Sequence, residues 1–244
     1  MPIAAQASEV QGPGDGASAA ARLVTASPAM RRFLTMLREA ARHEAPVLLV
    51  GESGTGKTAL ARLLHLLSPR AGGPFVRVEC AAAPGDLPEP AEAARGGTLF
   101  LDDVTALDAP AQITALRVLQ ALHAPGEARL VASARPRLED DIAAGRFRPD
   151  LFYRLAVVEL RIPPLRERAE DVLPIARAFL VARAAAPELS PDLQRALLAY
   201  PWPGNVTELL AALERAVLFA RGRALEVDAL PERVRAAAHG GTRP

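Results

Sequence analysis

The residues Gly51-Glu52-Ser53-Gly54-Thr55-Gly56-Lys57-Thr58 match the pattern G-x-x-x-x-G-K-[ST]. Each residue type in that pattern has a physical task. The glycines let the backbone turn so that its N–H groups converge on phosphate oxygens. A helix that follows adds the positive end of its dipole. Lys57 supplies a point charge to the β- and γ-phosphates of ATP, and the Thr58 hydroxyl is a Mg²⁺ ligand. Downstream, Leu99-Phe100-Leu101 runs into Asp102 and Asp103. A metal-bound nucleotide needs a carboxylate near Mg²⁺, supplied from a strand of the same sheet. Asp102 has the place of that carboxylate, and Asp103 the place of a general base or water-orienting group. Read alone, two Asp at a strand end are equally a solvated turn; the phosphate loop upstream favours the functional reading.

The elements around these residues follow from periodicity. Val47–Val50 is predicted as a buried strand feeding the loop, and Thr58–Leu67 as the helix leaving it. Further strands are predicted at Phe75–Val78, Thr98–Leu101, Ala128–Ala132 and Ala156–Leu160, with a helix over Ala111–Leu122. Continuous apolar strands alternating with helices imply a parallel sheet covered on both faces. Before the first strand, Ser27-Pro28 is a good cap and first position for a helix to about Arg42, with Met30, Phe33, Leu34 and Leu37 on one face. Pro163-Pro164 closes the alternation. Beyond it only helical periodicity remains, at Asp171–Ala184, Pro191–Ala199 and Val206–Ala220. The expected organisation is a disordered arm over 1–20, an α/β nucleotide-binding core over 21–166, a helical lid over 167–236 and a tail over 237–244.

Composition narrows the function classes. Half of the 244 residues are apolar and 23% are charged, which suits a packed core. A net charge of +1 gives no electrostatic footprint for nucleic acid or an anionic membrane. No stretch approaches the ~18 apolar residues of a membrane span, and the N-terminus has no secretory pattern. Cys80 is the single cysteine, which excludes an internal disulfide, fits a reducing cytoplasm, and is expected as a buried core residue at a strand end. The four histidines have no metal-ligand spacing and read as ordinary surface or helix residues. Trp202 reads as a packing anchor of the lid.

Motifs along the chain occur in a recognisable order: Gly51–Thr58, Gly96-Gly97-Thr98-Leu99-Phe100-Leu101-Asp102, Phe147-Arg148-Pro149-Asp150-Leu151-Phe152-Tyr153-Arg154-Leu155, Pro163-Pro164-Leu165-Arg166-Glu167-Arg168 and Trp202-Pro203-Gly204-Asn205-Val206. Over roughly residues 22 to 232 the chain resembles the central AAA+ domain of bacterial enhancer-binding proteins, the sigma-54 activators. The resemblance implies a P-loop AAA+ fold, a five-stranded parallel sheet followed by a helical lid, that binds ATP with Mg²⁺. It implies Arg148 and Arg154 as arginine-finger candidates for a neighbour's γ-phosphate, a role worth ~10³–10⁵ in rate, and hence a ring built with itself or a related AAA+ regulator. The competing reading of both is surface arginines beside Asp150. Arg166, Glu167 and Arg168 read as a solvated charge run, or as a hinge where the family joins core and lid.

Departures from the family bear on function. Between Cys80 and Gly96 the family carries an insertion tipped Gly-Ala-Phe-Thr-Gly-Ala that touches sigma-54; here residues 81–95 contain Pro84, Pro88 and Pro90 and no such tip. A second family loop is replaced by a short turn at Pro125-Gly126. Contact with sigma-54 is therefore doubtful. Asp103 stands for the family's catalytic glutamate, one methylene shorter, where a 1 Å error can cost ~10²-fold. Glu79 and Arg135 stand for neutral asparagines, and Thr207 for a sensor arginine. Two accounts fit these charges: Arg135 pairs with Asp103, Glu79 or both on one rim of the sheet, or the positions drifted neutrally after activity was lost. Three functions fit: a regulatory ATP-binding module with weak or no hydrolysis, an active ring-forming ATPase that remodels a partner other than sigma-54, and an interaction scaffold stabilised by nucleotide. No DNA-binding motif is visible in the chain.

Overall fold

The computed structural model describes residues 24–82, 87–122, 124, 126–183, 189–220 and 225–239. The arm over 1–20, Pro84, His123 and Pro125 lie outside them. By backbone contact the chain forms two compact units. One comprises Arg32–Glu52 and Lys57–Ile162; the other comprises the described residues through Arg31, Ser53–Gly56, and those from Pro163 onward.

The first unit is an α/β sandwich. Its elements are the greater part of α1 (Pro28–Ala41), then β1 (Val47–Val50), α2 (Lys57–Leu66), β2 (Phe75–Glu79), α3 (Pro88–Ala93), β3 (Thr98–Asp102), α4 (Ala109–Ala121), β4 (Arg129–Ala134), α5 (Leu138–Ala143), α6 (Pro149–Leu155) and β5 (Val158–Arg161). The five strands form one sheet in the order β2-β3-β4-β1-β5, and every pairing is parallel. The three central strands are buried along their whole length, while the edge strands β2 and β5 carry the exposed Arg77, Glu79 and Arg161. Fully covered parallel strands have no solvent side to alternate toward, which is why their sequences are unbroken apolar runs. Leu48, Leu99, Leu101, Leu130 and Ala132 pack with Ala115 and Leu119 of α4 and Leu151 and Leu155 of α6.

The register sets the position of the acidic pair. Glu79 lies opposite Asp102, and Leu101 opposite Ala132. Asp102, Ser133 and Val50 thus reach the carboxyl-terminal rim, where ligands of open α/β sheets bind.

Three differences from the sequence reading have clear causes. The proline-rich connection after Cys80 contains the helix α3, because prolines in a first turn remove only an N–H that has no partner there. The last strand begins at Val158 rather than Ala156, since α6 runs to Leu155 and the Ala156 N–H still donates to the Phe152 carbonyl. His65 on α2 is buried rather than on the surface, its Nδ1 2.8 Å from the Thr98 hydroxyl; burial lowers its pKa.

The second unit is helical: α7 (Val172–Ala182), α8 (Pro191–Ala199), α9 (Asn205–Ala220) and α10 (Glu232–His239). Ser190 caps α8 through the Leu193 N–H. Ile175, Phe179, Leu193, Leu197, Leu209, Leu213, Leu225 and Val234 fill its core around Trp202. Trp202 is 1% exposed, and its indole N–H donates to the Leu197 carbonyl at 2.8 Å. Cys80, in the first unit, is fully buried after β2, and burial followed by the Asp102 and Asp103 charges pushes its thiol up to about 12.

Candidate nucleotide site

On the sheet unit, the groups at the rim form a connected set. Thr58, in the first turn of α2, donates its hydroxyl to Oδ2 of Asp102 at 3.0 Å. Ser133 of β4 donates to Oδ1 at 2.7 Å. Arg77 of β2 reaches Oδ2 with Nε at 2.9 Å and Nη2 at 2.7 Å. Asp102 is only 8% exposed, so it is a bound carboxylate and not a solvated strand end. Lys57 donates to the carbonyls of Gly51 and Glu52 at 2.7 and 3.1 Å. Burial lowers its pKa, and the Asp103 and Asp102 charges oppose that shift.

Asp103 ends the strand in a left-handed conformation, φ 60°, ψ 68°. Its short polar side chain makes that backbone tolerable. Its N–H donates to Ser133 Oγ at 2.9 Å, and its carboxylate accepts the Thr105 hydroxyl on one oxygen. The other oxygen accepts Nε and Nη2 of Arg135, both at 2.8 Å. The expected rim pairing therefore forms with Asp103 alone. Glu79 is exposed, and its carboxylate has no partner among the described residues.

In the helical unit, Ser53–Gly56 is gripped by backbone and buried polar groups. Asn205 Nδ2 donates to the Ser53 carbonyl at 3.0 Å, the Thr207 N–H to Gly54 at 3.3 Å, and Arg168 Nη2 to Thr55 at 3.2 Å. Gly54 has φ +78°, and a Cβ there would lie 2.1 Å from the Gly204 carbonyl oxygen, so only glycine fits. Arg168 is fully buried, which corrects its reading as a solvated charge. The run split because a helical turn places Arg166 and Glu167 outward and Arg168 inward. Arg168 Nη1 stands 4.0 Å from Asp171 Oδ2, and neither Nε nor Nη1 has a hydrogen-bond partner among the described residues.

The two arginine-finger candidates lie apart from this set, and no contact joins either to Lys57, Thr58, Asp102 or Asp103 among the described residues. Arg148, the residue before α6, forms a fork with Asp150 at 3.0 and 2.7 Å on the surface. The hydrogen bond to Asp150 raises its pKa, and Asp150 is lowered in turn. Arg154 has no hydrogen bond or ion pair among the described residues and lines a 320 Å³ cleft with Arg70, Arg129 and Leu119. Sequence reasoning missed Arg77 and Ser133. The two-residue period of a strand, which puts Arg77 one step diagonal to Asp102, was the signal that would have found Arg77.

Comparison with known proteins shows the family. Residues 24–165 match the family model of the sigma-54 interaction domain. The chain belongs to the sigma-54 interaction domain family. Residues 166–244 match the AAA+ ATPase lid domain. Among relatives, the chain is 41% identical to the response regulator protein PilR of Pseudomonas aeruginosa, across 80% of this chain and 52% of that protein. It is 42% identical to the transcriptional regulatory protein XylR of Pseudomonas putida, across 79% and 40%. Among solved structures it resembles NtrX from Brucella abortus in complex with ATP, with TM-score 0.79 and 30% identity over 91% of this chain and 58% of that one. The chain thus spans about half the length of the relatives it matches. Within this family, the P-loop AAA+ fold with a parallel sheet and helical lid holds, and no helix among the described residues is long and apolar enough to cross a membrane.

Proposed function

We propose that this family member binds ATP through Gly51–Thr58 and acts as a regulatory AAA+ module whose hydrolysis is held low by its own Arg135. The Arg135–Asp103 pair carries the reading. A carboxylate that accepts two guanidinium N–H groups on one oxygen and a hydroxyl on the other has little capacity left to orient a water. The complexes of NtrX with ATP and with ADP support nucleotide binding. Thr58 Oγ1 and Asp102 are hard oxygen donors 3.0 Å apart, a set that fits Mg²⁺. Thr58 and Asp102 would hold the ion, which would supply positive charge against the phosphates. The Gly-Ala-Phe-Thr-Gly-Ala tip is missing from the sequence, so the module engages a related regulator or a second copy of itself rather than sigma-54.

A second reading, an active ATPase that remodels another partner, is favoured by Arg154, which has no hydrogen bond or ion pair among the described residues. ATP turnover across a protein concentration series, with Lys57→Ala as control, separates the two. Turnover absent at every concentration, with ATP still bound, supports the regulatory reading. Turnover that climbs with concentration and vanishes in the control establishes the second.

A further inference from the structure

Asp102 is the carboxylate that the nucleotide reading assigns to Mg²⁺, yet this chain supplies it with a cation of its own. Arg77 belongs to the edge strand β2 and is opposite Phe100, two residues before Asp102 on β3. Strand residues two apart share a face, so Arg77 is the diagonal cross-strand neighbour of Asp102, within reach of a long side chain. Its Nε and Nη2 both donate to Oδ2, the same oxygen that accepts the Thr58 hydroxyl. Ser133 occupies Oδ1. A carboxylate offers about four acceptor positions. Three donors on Oδ2 and one on Oδ1 use that capacity, and a metal ion or its bound water gains Asp102 only by displacing a donor. Ser133 is fully buried and Thr58 is half-buried in the first turn of α2, whereas the Arg77 side chain is 44% exposed and can swing out into solvent. Arg77 is therefore the donor that yields.

We propose that Arg77 competes with Mg²⁺ for Asp102 and makes ATP binding by this chain nearly independent of the metal. The proposal rests on the reading that Gly51–Thr58 binds nucleotide, and it adds to that reading which residue sets the metal requirement. With Arg77 in place, one positive charge stands beside Asp102 in either condition, so adding Mg²⁺ exchanges one cation for another. Without Arg77, the carboxylate is bare when metal is absent and filled when it is present.

The test is equilibrium binding of a fluorescent ATP analogue to the whole chain in EDTA and in millimolar Mg²⁺. Wild type, Arg77→Ala and Arg77→Lys are compared after thermal melts establish that each is folded. The wild-type Kd is expected to change by no more than about threefold between the two conditions. In Arg77→Ala, Mg²⁺ should tighten binding by about tenfold, the scale of losing a charge-assisted pair. Arg77→Lys, with a point charge and no fork, should fall between them. A wild type that already gains tenfold from Mg²⁺, with Arg77→Ala the same, overturns the proposal. So does equal weakening of Arg77→Ala in both conditions, which would place Arg77 on the nucleotide itself. A wild type that binds no analogue in either condition overturns the nucleotide reading, and the proposal with it.

Discussion

Arg135, just past the end of β4, holds Asp103, just past the end of the adjacent β3, by two hydrogen bonds of 2.8 Å to a single carboxylate oxygen. The pair is partly exposed, 64% for the arginine side chain and 25% for the aspartate. Its stabilising effect is small on that account. On the proposed function its consequence is positional, since it fixes the carboxylate to which that reading assigns the orienting of water.

Arg135→Asn should release Asp103 and raise ATP turnover by about tenfold or more, within the range of positioning effects. Glu79→Asn should leave turnover unchanged, because the Glu79 carboxylate has no partner among the described residues. Steady-state phosphate release from the two single variants and the double checks both statements. Equal rates in wild type and Arg135→Asn would remove Arg135 from the account.

Gly54→Ala should lower both stability and nucleotide affinity, whereas Gly56→Ala should spare stability more. Both glycines have positive φ, a cost of about 1–2 kcal/mol for an L-residue. Only at Gly54 would the new Cβ also collide with backbone, 2.1 Å from the Gly204 oxygen. A melting-temperature drop clearly larger for Gly54→Ala is the expected result, at roughly 2–4 °C per kcal/mol for a domain of this size. Equal drops would contradict the close approach.

Asp171→Ala should destabilise the chain by about 3–5 kcal/mol, since it strips the buried Arg168 of its counter-charge. Asp171 Oδ1 also accepts the Ser27 N–H at 2.7 Å, and Oδ2 the Ser27 hydroxyl at 2.9 Å, so the strap before α1 loosens as well. Arg168→Met should cost less than Asp171→Ala, because two of its three nitrogens lack hydrogen-bond partners among the described residues and burial already disfavours its charge. Denaturant titrations of the two variants give the order directly.

Cys80 should make stability fall at alkaline pH. Its folded pKa is raised from 9.0 to about 12. Above pH 9 the unfolded thiol ionises while the folded one stays neutral, so the unfolded state binds fewer protons and gains. The loss runs from pH 9 to about 12 at no more than about 1.4 kcal/mol per pH unit. Cys80→Ala should flatten the curve of melting temperature against pH over that window. Native protein should resist alkylation at pH 8, and chain unfolded in denaturant should react.

The phosphate loop, the apolar central strands and the acidic strand end were legible because each is a local pattern. β1 and the helix Pro191–Ala199 have the bounds that periodicity gave them, and Ser27 caps α1 through the Met30 N–H as its type suggests. The short helices α3 and α5 were not legible, being six residues each and too brief for a 3.6-residue period to repeat. The strand shift at β5 has the related cause that an apolar run fits helix end and strand start alike.

By itself the sequence determined the fold class, the family resemblance and which residue types reach the phosphate loop, because these depend on spacing along the chain. It also singled out Arg135 as a cation for Asp103, Glu79 or both, without choosing between them. Tertiary structure alone decided that Arg135 takes Asp103 and leaves Glu79, that Arg77 occupies Asp102, and that Arg168 is buried while Arg166 and Glu167 are not. Strand order and register bring residues distant in sequence to within 3 Å of one another, and at that range hydrogen-bond geometry, not residue type, selects which charges meet.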